Sequence, residues 1–130
     1  MQFYLMGSLD DTIAAALVRH GHKAHRAGEA VAGGNEPAAP VDDSPAEVIA
    51  FLQARQWNLV TTDSAWLRRL YEEKVEFPAG MIIHLLESAA GEDGAAIDRL
   101  FERYKRLTTK RLYTITGSRV KIRQLPGLPG

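Results

Sequence analysis

An α/β domain is what the sequence predicts, with a mainly parallel central sheet flanked by helices and a C-terminal β-hairpin. Three observations predict it. Short apolar runs at 2–6, 58–62 and 81–86 alternate with segments of helical periodicity, the order that gives parallel strands joined by helical crossovers. The 130 residues are the length of one domain, 1–130, and a chain of this size buries about two-thirds of its unfolded surface, enough for a core without staples. Gly117-Ser118 between 112–116 and 119–124 has the glycine-first form of a two-residue hairpin turn.

The elements follow in order. Gln2-Phe3-Tyr4-Leu5-Met6 reads as a buried strand ending at Gly7-Ser8. Residues 9–20 have helical spacing, with Leu9, Ile13 and Leu17 on one face, Asp10 and Asp11 in the first turn and Gly21 as the cap. Residues 22–27 form a more polar strand. From 28 to 43 the text is rich in Gly, Ala and Pro, a flexible loop long enough to be functional. Ser44-Pro45-Ala46-Glu47 is a helix start with a capping box, and Val48, Ile49 and Leu52 give that helix its apolar face. The strand at 58–62 ends at Asp63, and a helix carrying Trp66, Leu67, Leu70 and Tyr71 follows. After the strand at 81–86 a long helix is expected over about 94–109, with Ile97, Leu100, Phe101, Tyr104 and Leu107 as its apolar stripe. Residues 125–130 are a tail.

Composition excludes several function classes. An apolar fraction of 45% with sixteen basic and sixteen acidic residues argues against a disordered chain. Without cysteine there is no disulfide scaffold, thiolate zinc site or cysteine nucleophile. No apolar run reaches the roughly 18 residues of a membrane span, and the start lacks the basic region of a signal peptide, so a cytoplasmic protein is expected. Motifs for ATP, dinucleotide and serine-hydrolase chemistry are missing.

Right-handed crossovers and parallel strands gather the strand-to-helix turns at one sheet edge, where ligands of such folds bind. Residues 6–11, Asp42-Asp43-Ser44 and 61–65 should meet there. The acids Asp10, Asp11, Asp42, Asp43, Glu47 and Asp63, with the hydroxyls of Ser8, Thr61, Thr62 and Ser64, suit a hard cation such as Mg²⁺ or Mn²⁺. Most of these acids are also ordinary helix-start residues. Asp63 is the most informative, because Ser64 is available for capping.

The run Asn58-Leu59-Val60-Thr61-Thr62-Asp63-Ser64-Ala65-Trp66 resembles the x-L-V-T-x-D-x-D-F signature of small bacterial PIN-like proteins, a nuclease superfamily that includes the VapC-type toxins of toxin–antitoxin pairs. Phe3-Tyr4-Leu5, Arg19-His20-Gly21-His22, Ser44-x-x-Glu47, Gly80-Met81-Ile82-Ile83 and the 117–123 ending fit the same layout. The resemblance implies a three-layer fold and, in active members, a Mg- or Mn-dependent endoribonuclease in which carboxylates hold the metal and a metal-bound water attacks the phosphodiester. The departures fall on the acids. Met6 stands at the first acidic position, Pro45 at the second and Ala65 at the fourth, so only Asp63 carries over. If the site is active, Asp63 with Asp43, Glu47 and Asp10 would be catalytic, and Asp63, Asp43 and Asp10 would hold the metal. The alternative is a non-catalytic protein- or RNA-binding module on the same scaffold.

Neutral overall charge hides an asymmetry. Residues 1–98 carry seven Lys/Arg against fifteen Asp/Glu, whereas 99–130 carry nine against one. Arg99, Arg103, Arg106 and Lys110 fall at helical spacing and, beside Lys121 and Arg123, form a candidate RNA-binding stripe. The other reading is a solvated helix face that complements the acidic body or another subunit of a homo-oligomer, and an antitoxin-like protein is the partner that the resemblance implies. His20, His22 and His25 do not make a metal cluster if 22–27 is a strand, because His22 and His25 then point to opposite faces. His84 reads as a core residue.

Overall fold

The computed structural model describes residues 1–6, 11–26, 42–86, 93–116 and 119–126. Among the described residues, five strands alternate with four helices and a sixth strand follows: β1 (Gln2–Met6), α1 (Asp11–Arg19), β2 (Lys23–Arg26), α2 (Pro45–Arg55), β3 (Asn58–Thr61), α3 (Ser64–Glu72), β4 (Ile82–Leu86), α4 (Asp93–Arg103), β5 (Arg111–Thr116) and β6 (Arg119–Gln124). They form one sheet in the order β2-β1-β3-β4-β5-β6. Strands β1 to β5 are parallel and β6 pairs antiparallel with β5, Thr116 opposite Arg119. The expected turn at 117–118, Asp10, most of the 28–43 loop and residues 127–130 lie outside the described residues.

Strand alternation sorts the core into two clusters, one on each face. Phe3, Leu5, Val60, Ile83, Leu85, Tyr113 and Ile115 pack with α1 and α4 through Ile13, Leu17, Ile97, Leu100 and Phe101. Tyr4, Leu59, Ile82 and Leu112 pack with α2 and α3 through Ile49, Leu52, Trp66, Leu67 and Leu70. The buried Asn58 is satisfied at the strand starts: its amide donates to the Gln2 carbonyl at 3.2 Å and its side-chain oxygen accepts from Met81 N–H at 3.0 Å.

Local chemistry ends three of the helices in the same way. After α1, Gly21 adopts φ +83°, and the amides of Gly21 and His22 return to the carbonyls of Val18 and Leu17. Gln56 (φ 59°) does this after α2 and Lys74 (φ 53°) after α3, with Trp57 and Val75 closing the outer bonds. This is the Schellman arrangement, and only at Gly21 does it use the residue suited to left-handed backbone. The start of α2 is as expected, with Pro45 in the first turn and the Ser44 hydroxyl accepting from Glu47 N–H at 3.4 Å.

Two expectations are corrected. The last helix ends at Arg103, not near 109: Lys110 has φ 66°, its amide donates to the Gly80 carbonyl and its carbonyl accepts from Leu125 N–H. Those bonds fix the chain as an entry to β5, and a helix continuing from Arg103 would forfeit them. The crossovers also do not all share one hand. The connection through α1 runs towards β2, and those through α2 and α3 run the opposite way with their helices on the opposite face, which is the same hand. α4 runs in that second direction but lies on the α1 face, so β4–α4–β5 has the reverse hand, against a strong general preference. Its anchors are in α1 and β1. Gly94 N–H donates to the Thr12 hydroxyl at 2.9 Å, Asp98 binds Arg19 and His20, and Phe101 meets Phe3 edge-on.

Candidate functional site

Connections leave β1 towards β2 and leave β3 towards β4, so the carboxyl ends of the neighbours β1 and β3 flank the crevice at which such sheets bind ligands. On the α2/α3 face, Tyr4, Leu59, Ile82 and Leu112 form an apolar row across the sheet. Two residues further along each strand lie Met6, Thr61, His84 and Thr114, consecutive partners in register, and Lys121 of β6 continues them. The row is largely polar at the carboxyl edge. Thr61 and His84 are buried, and Met6 is partly buried against the core.

Above this row stands the start of α3. The Asp63 carboxylate accepts from Trp66 N–H at 2.9 Å, while the Asp63 amide donates to the Thr61 hydroxyl at 3.1 Å. Asp63 is therefore the N-cap and Ser64 the first helical residue, the reverse of the capping expected from sequence. An aspartate is the better cap because its full charge meets both the free amides and the positive end of the helix dipole. The released Ser64 hydroxyl shares a hydrogen bond with His84 Nε2 at 3.1 Å. Burial lowers the His84 pKa, and the nearby Asp63 charge opposes this more weakly. The imidazole is thus neutral at pH 7.

The α2 corner is tied to the same place. The Trp66 indole N–H donates to the Asp43 carbonyl at 2.7 Å, joining the entries of α2 and α3. The Asp42 carboxylate accepts from Ser44 N–H at 2.8 Å, and its pKa is held down by the hydrogen bonds from Ser44. Asp43 and Glu47 are exposed, as is Asp11, which pairs with Arg26 at 3.1 Å. Of the sequence-predicted acids, the fold thus brings the Asp43 backbone and Asp63 to one edge. Among the described residues no three His, Asp or Glu side chains converge to hold a metal ion.

The basic candidates do not share a helix. Arg99 and Arg103 lie on α4, Arg103 over the Tyr104 ring at 5.7 Å, while exposed Arg106 and Lys110 follow the helix end. The histidines divide between the two faces, His20 and His22 ahead of β2 and His25 within it. His20 and His22 flank Phe101 on the α1/α4 face, and His25 stacks on Trp57 at 3.9 Å on the other. Sequence reasoning passed over the pairing of Ser64 with His84. Its signal was register: His84 stands two residues after Ile82 on a strand whose neighbour ends at Thr61, and such an alignment is set by pairing that the sequence does not state. Comparison of the chain with protein-family models, with curated proteins and with solved structures finds no match.

Proposed function

We propose that this chain is a PIN-like domain, three-layered and closed by a C-terminal hairpin, descended from metal-dependent ribonucleases and working as a non-catalytic RNA-binding module. The observation that carries the reading is the pair Met6–Thr61 at the end of β1 and β3. A thioether occupies the position where the resemblance would put the leading metal-binding acid, and thioethers are poor ligands for Mg²⁺ or Mn²⁺. The one matching acid, Asp63, is engaged as a helix cap. A hard cation requires several oxygen ligands, and a single capped carboxylate does not supply them.

A second reading has its own support. Asp63 is exposed despite its capping bond, and the Trp66–Asp43 bond keeps a second acidic segment beside it. In that reading Asp63 and Asp43 hold Mn²⁺ and the protein cleaves RNA. Titration with Mn²⁺ separates the two. The proposal expects no rise in melting temperature, no cleavage of RNA, and an RNA affinity that weakens steeply with salt. A rise that disappears in Asp63→Asn, together with Mn²⁺-dependent cleavage, would overturn it.

A further inference from the structure

On the α2/α3 face of the sheet, the corner that β5 and β6 form at the carboxyl end carries exposed cations, Arg119 and Lys121. α3 crosses this face obliquely. Its first residue is bonded to β4 through Ser64 and His84, whereas its last turn sits against β6. There the Tyr71 hydroxyl donates to the Gln124 carbonyl at 2.8 Å, and the Arg123 guanidinium lies 3.9 Å from the Tyr71 ring centroid. Because β6 is antiparallel, Arg123 and Gln124 mark the amino end of the parallel strands. At the carboxyl end, the described anchors of α3 lie on β4 rather than on β5 or β6.

What the corner presents follows from register. Thr114 and Thr116 face it from β5, both only partly buried, and their partners Lys121 and Arg119 face it from β6, both exposed. Alternate strand residues stand roughly 6.7 Å apart, so the two cations form a short basic track beside two hydroxyls. Ser64, bonded to His84 on the neighbouring β4, borders the corner from α3, and exposed Arg68 follows it one helical turn later. Among the described residues, Arg68, Arg119 and Lys121 have no carboxylate within ion-pairing distance.

We infer that this corner, rather than the α4 helix, is where the phosphodiester backbone of single-stranded RNA lies, with Arg119 and Lys121 opposing successive phosphates and Thr114, Thr116 and Ser64 offering hydroxyl donors. The inference rests on the RNA-binding reading above and gives it a location. Cations with neutral donors and no nearby competing acid on β5 or β6 suit a repeating monoanion. His84, neutral beneath Ser64, adds no charge but fixes the hydroxyl at the rim.

The test uses the full chain and a fluorescent oligouridylate of about 12 nucleotides, followed by anisotropy across a salt series. Arg119→Ala/Lys121→Ala should weaken binding roughly 10- to 30-fold at about 0.1 M salt and lower the slope of log affinity against log salt by about 1.4, the release expected from two single-strand phosphate contacts. Arg99→Ala/Arg103→Ala removes the same charge from the other face and should lose distinctly less. Equal losses from the two variants, or a loss confined to the α4 variant, would overturn the location while leaving RNA binding in place. Absence of wild-type binding would overturn both readings. Polyglutamate of matched charge displacing the RNA as well as unlabelled oligouridylate does would show a site for acidic protein and overturn the assignment. Both corner residues are exposed, so unchanged melting temperatures should accompany these results. Should the double variant melt early, Arg119→Gln and Lys121→Gln singly carry the same test, each with about half the change in slope.

Discussion

Replacing Gly94 with alanine tests the contact on which the reversed crossover depends. A β carbon there would stand 2.6 Å from the Thr12 carbonyl oxygen and 2.8 Å from the Thr12 β carbon. Comfortable contacts lie near 3.5 Å, so α4 has to withdraw by roughly 1 Å. Neither opposing atom sits at the end of a flexible chain. Withdrawal stretches the 2.9 Å bond from Gly94 to the Thr12 hydroxyl and loosens an interface that includes Ile13, Leu17, Ile97 and Leu100. Two effects oppose each other. Alanine gains at most about 1 kcal/mol over glycine in a helix, and less in a first turn. Overpacking costs about 1–3 kcal/mol and the weakened hydrogen bond about 1 kcal/mol more. The net expectation is a loss of about 1–3 kcal/mol, read as a melting temperature lower by roughly 4–10 °C. Urea unfolding should show the same loss with an unchanged slope. Exposed Ala95→Gly, one residue along in the same first turn, should lose only the propensity difference, less than about 1 kcal/mol. A Gly94→Ala protein as stable as wild type, or more so, would refute the close approach of the two helices.

Three other outcomes are expected. Lys74→Gly and Gln56→Gly should each stabilise the protein by about 0.5–1 kcal/mol, because both residues occupy left-handed backbone at helix ends, and denaturant midpoints check this. Burial lowers the pKa of His84 and of His22, the latter helped by the N-terminal ammonium and His20. The unfolded chain then binds protons more readily than the folded one, so stability should fall as pH drops below about 6.5. His22→Gln/His84→Gln should flatten the profile between about pH 7.5 and 5.5, and an unaltered profile would count against the burial of both rings. At Asp98 burial raises the carboxyl pKa, but hydrogen bonds from His20 and Arg19 outweigh it and leave the value lowered. The stabilisation is therefore present above the ordinary aspartate pKa of about 3.9 and lost as pH falls through the depressed one. Asp98→Asn should remove that part of acid unfolding, measured by circular dichroism across an acid titration.

Elements whose cause is local were legible in the sequence. The strands at 2–6 and 58–61, the capped start at Ser44-Pro45 and the stop at Gly21 all follow from residues within one turn of the feature. The end of α4 was not, because periodicity through Leu107 continues the helical pattern while the decisive bonds reach to Gly80 and Leu125, far along the chain. The capping of α3 was misread for a different reason. Asp63 and Ser64 are both good caps, and beside the aspartate's charge it is His84, a partner for the serine twenty residues away, that the local sequence does not show. Strand order and crossover hand were open as well, since the Gly94–Thr12 approach that seats α4 beside α1 leaves only a glycine in the text.

The same arrangement separates what holds the molecule together from what it presents. Gly94, Asp98, His20 and Phe101 act on the α1/α4 face, while Ser64, His84, Thr114, Lys121 and Arg119 lie on the other side of the sheet. The sheet between them is continuous and its core rows are buried, which sets the apolar core between α4 and the opposite corner. Gly94→Ala should therefore lower stability and yet, well below its melting temperature, bind oligouridylate with the wild-type salt slope. Arg119→Ala/Lys121→Ala should do the converse. If loosening α4 weakened RNA binding as much as removing the two β6 cations does, the ligand would be touching the α1/α4 face, and the basic residues of α4 would return as its site.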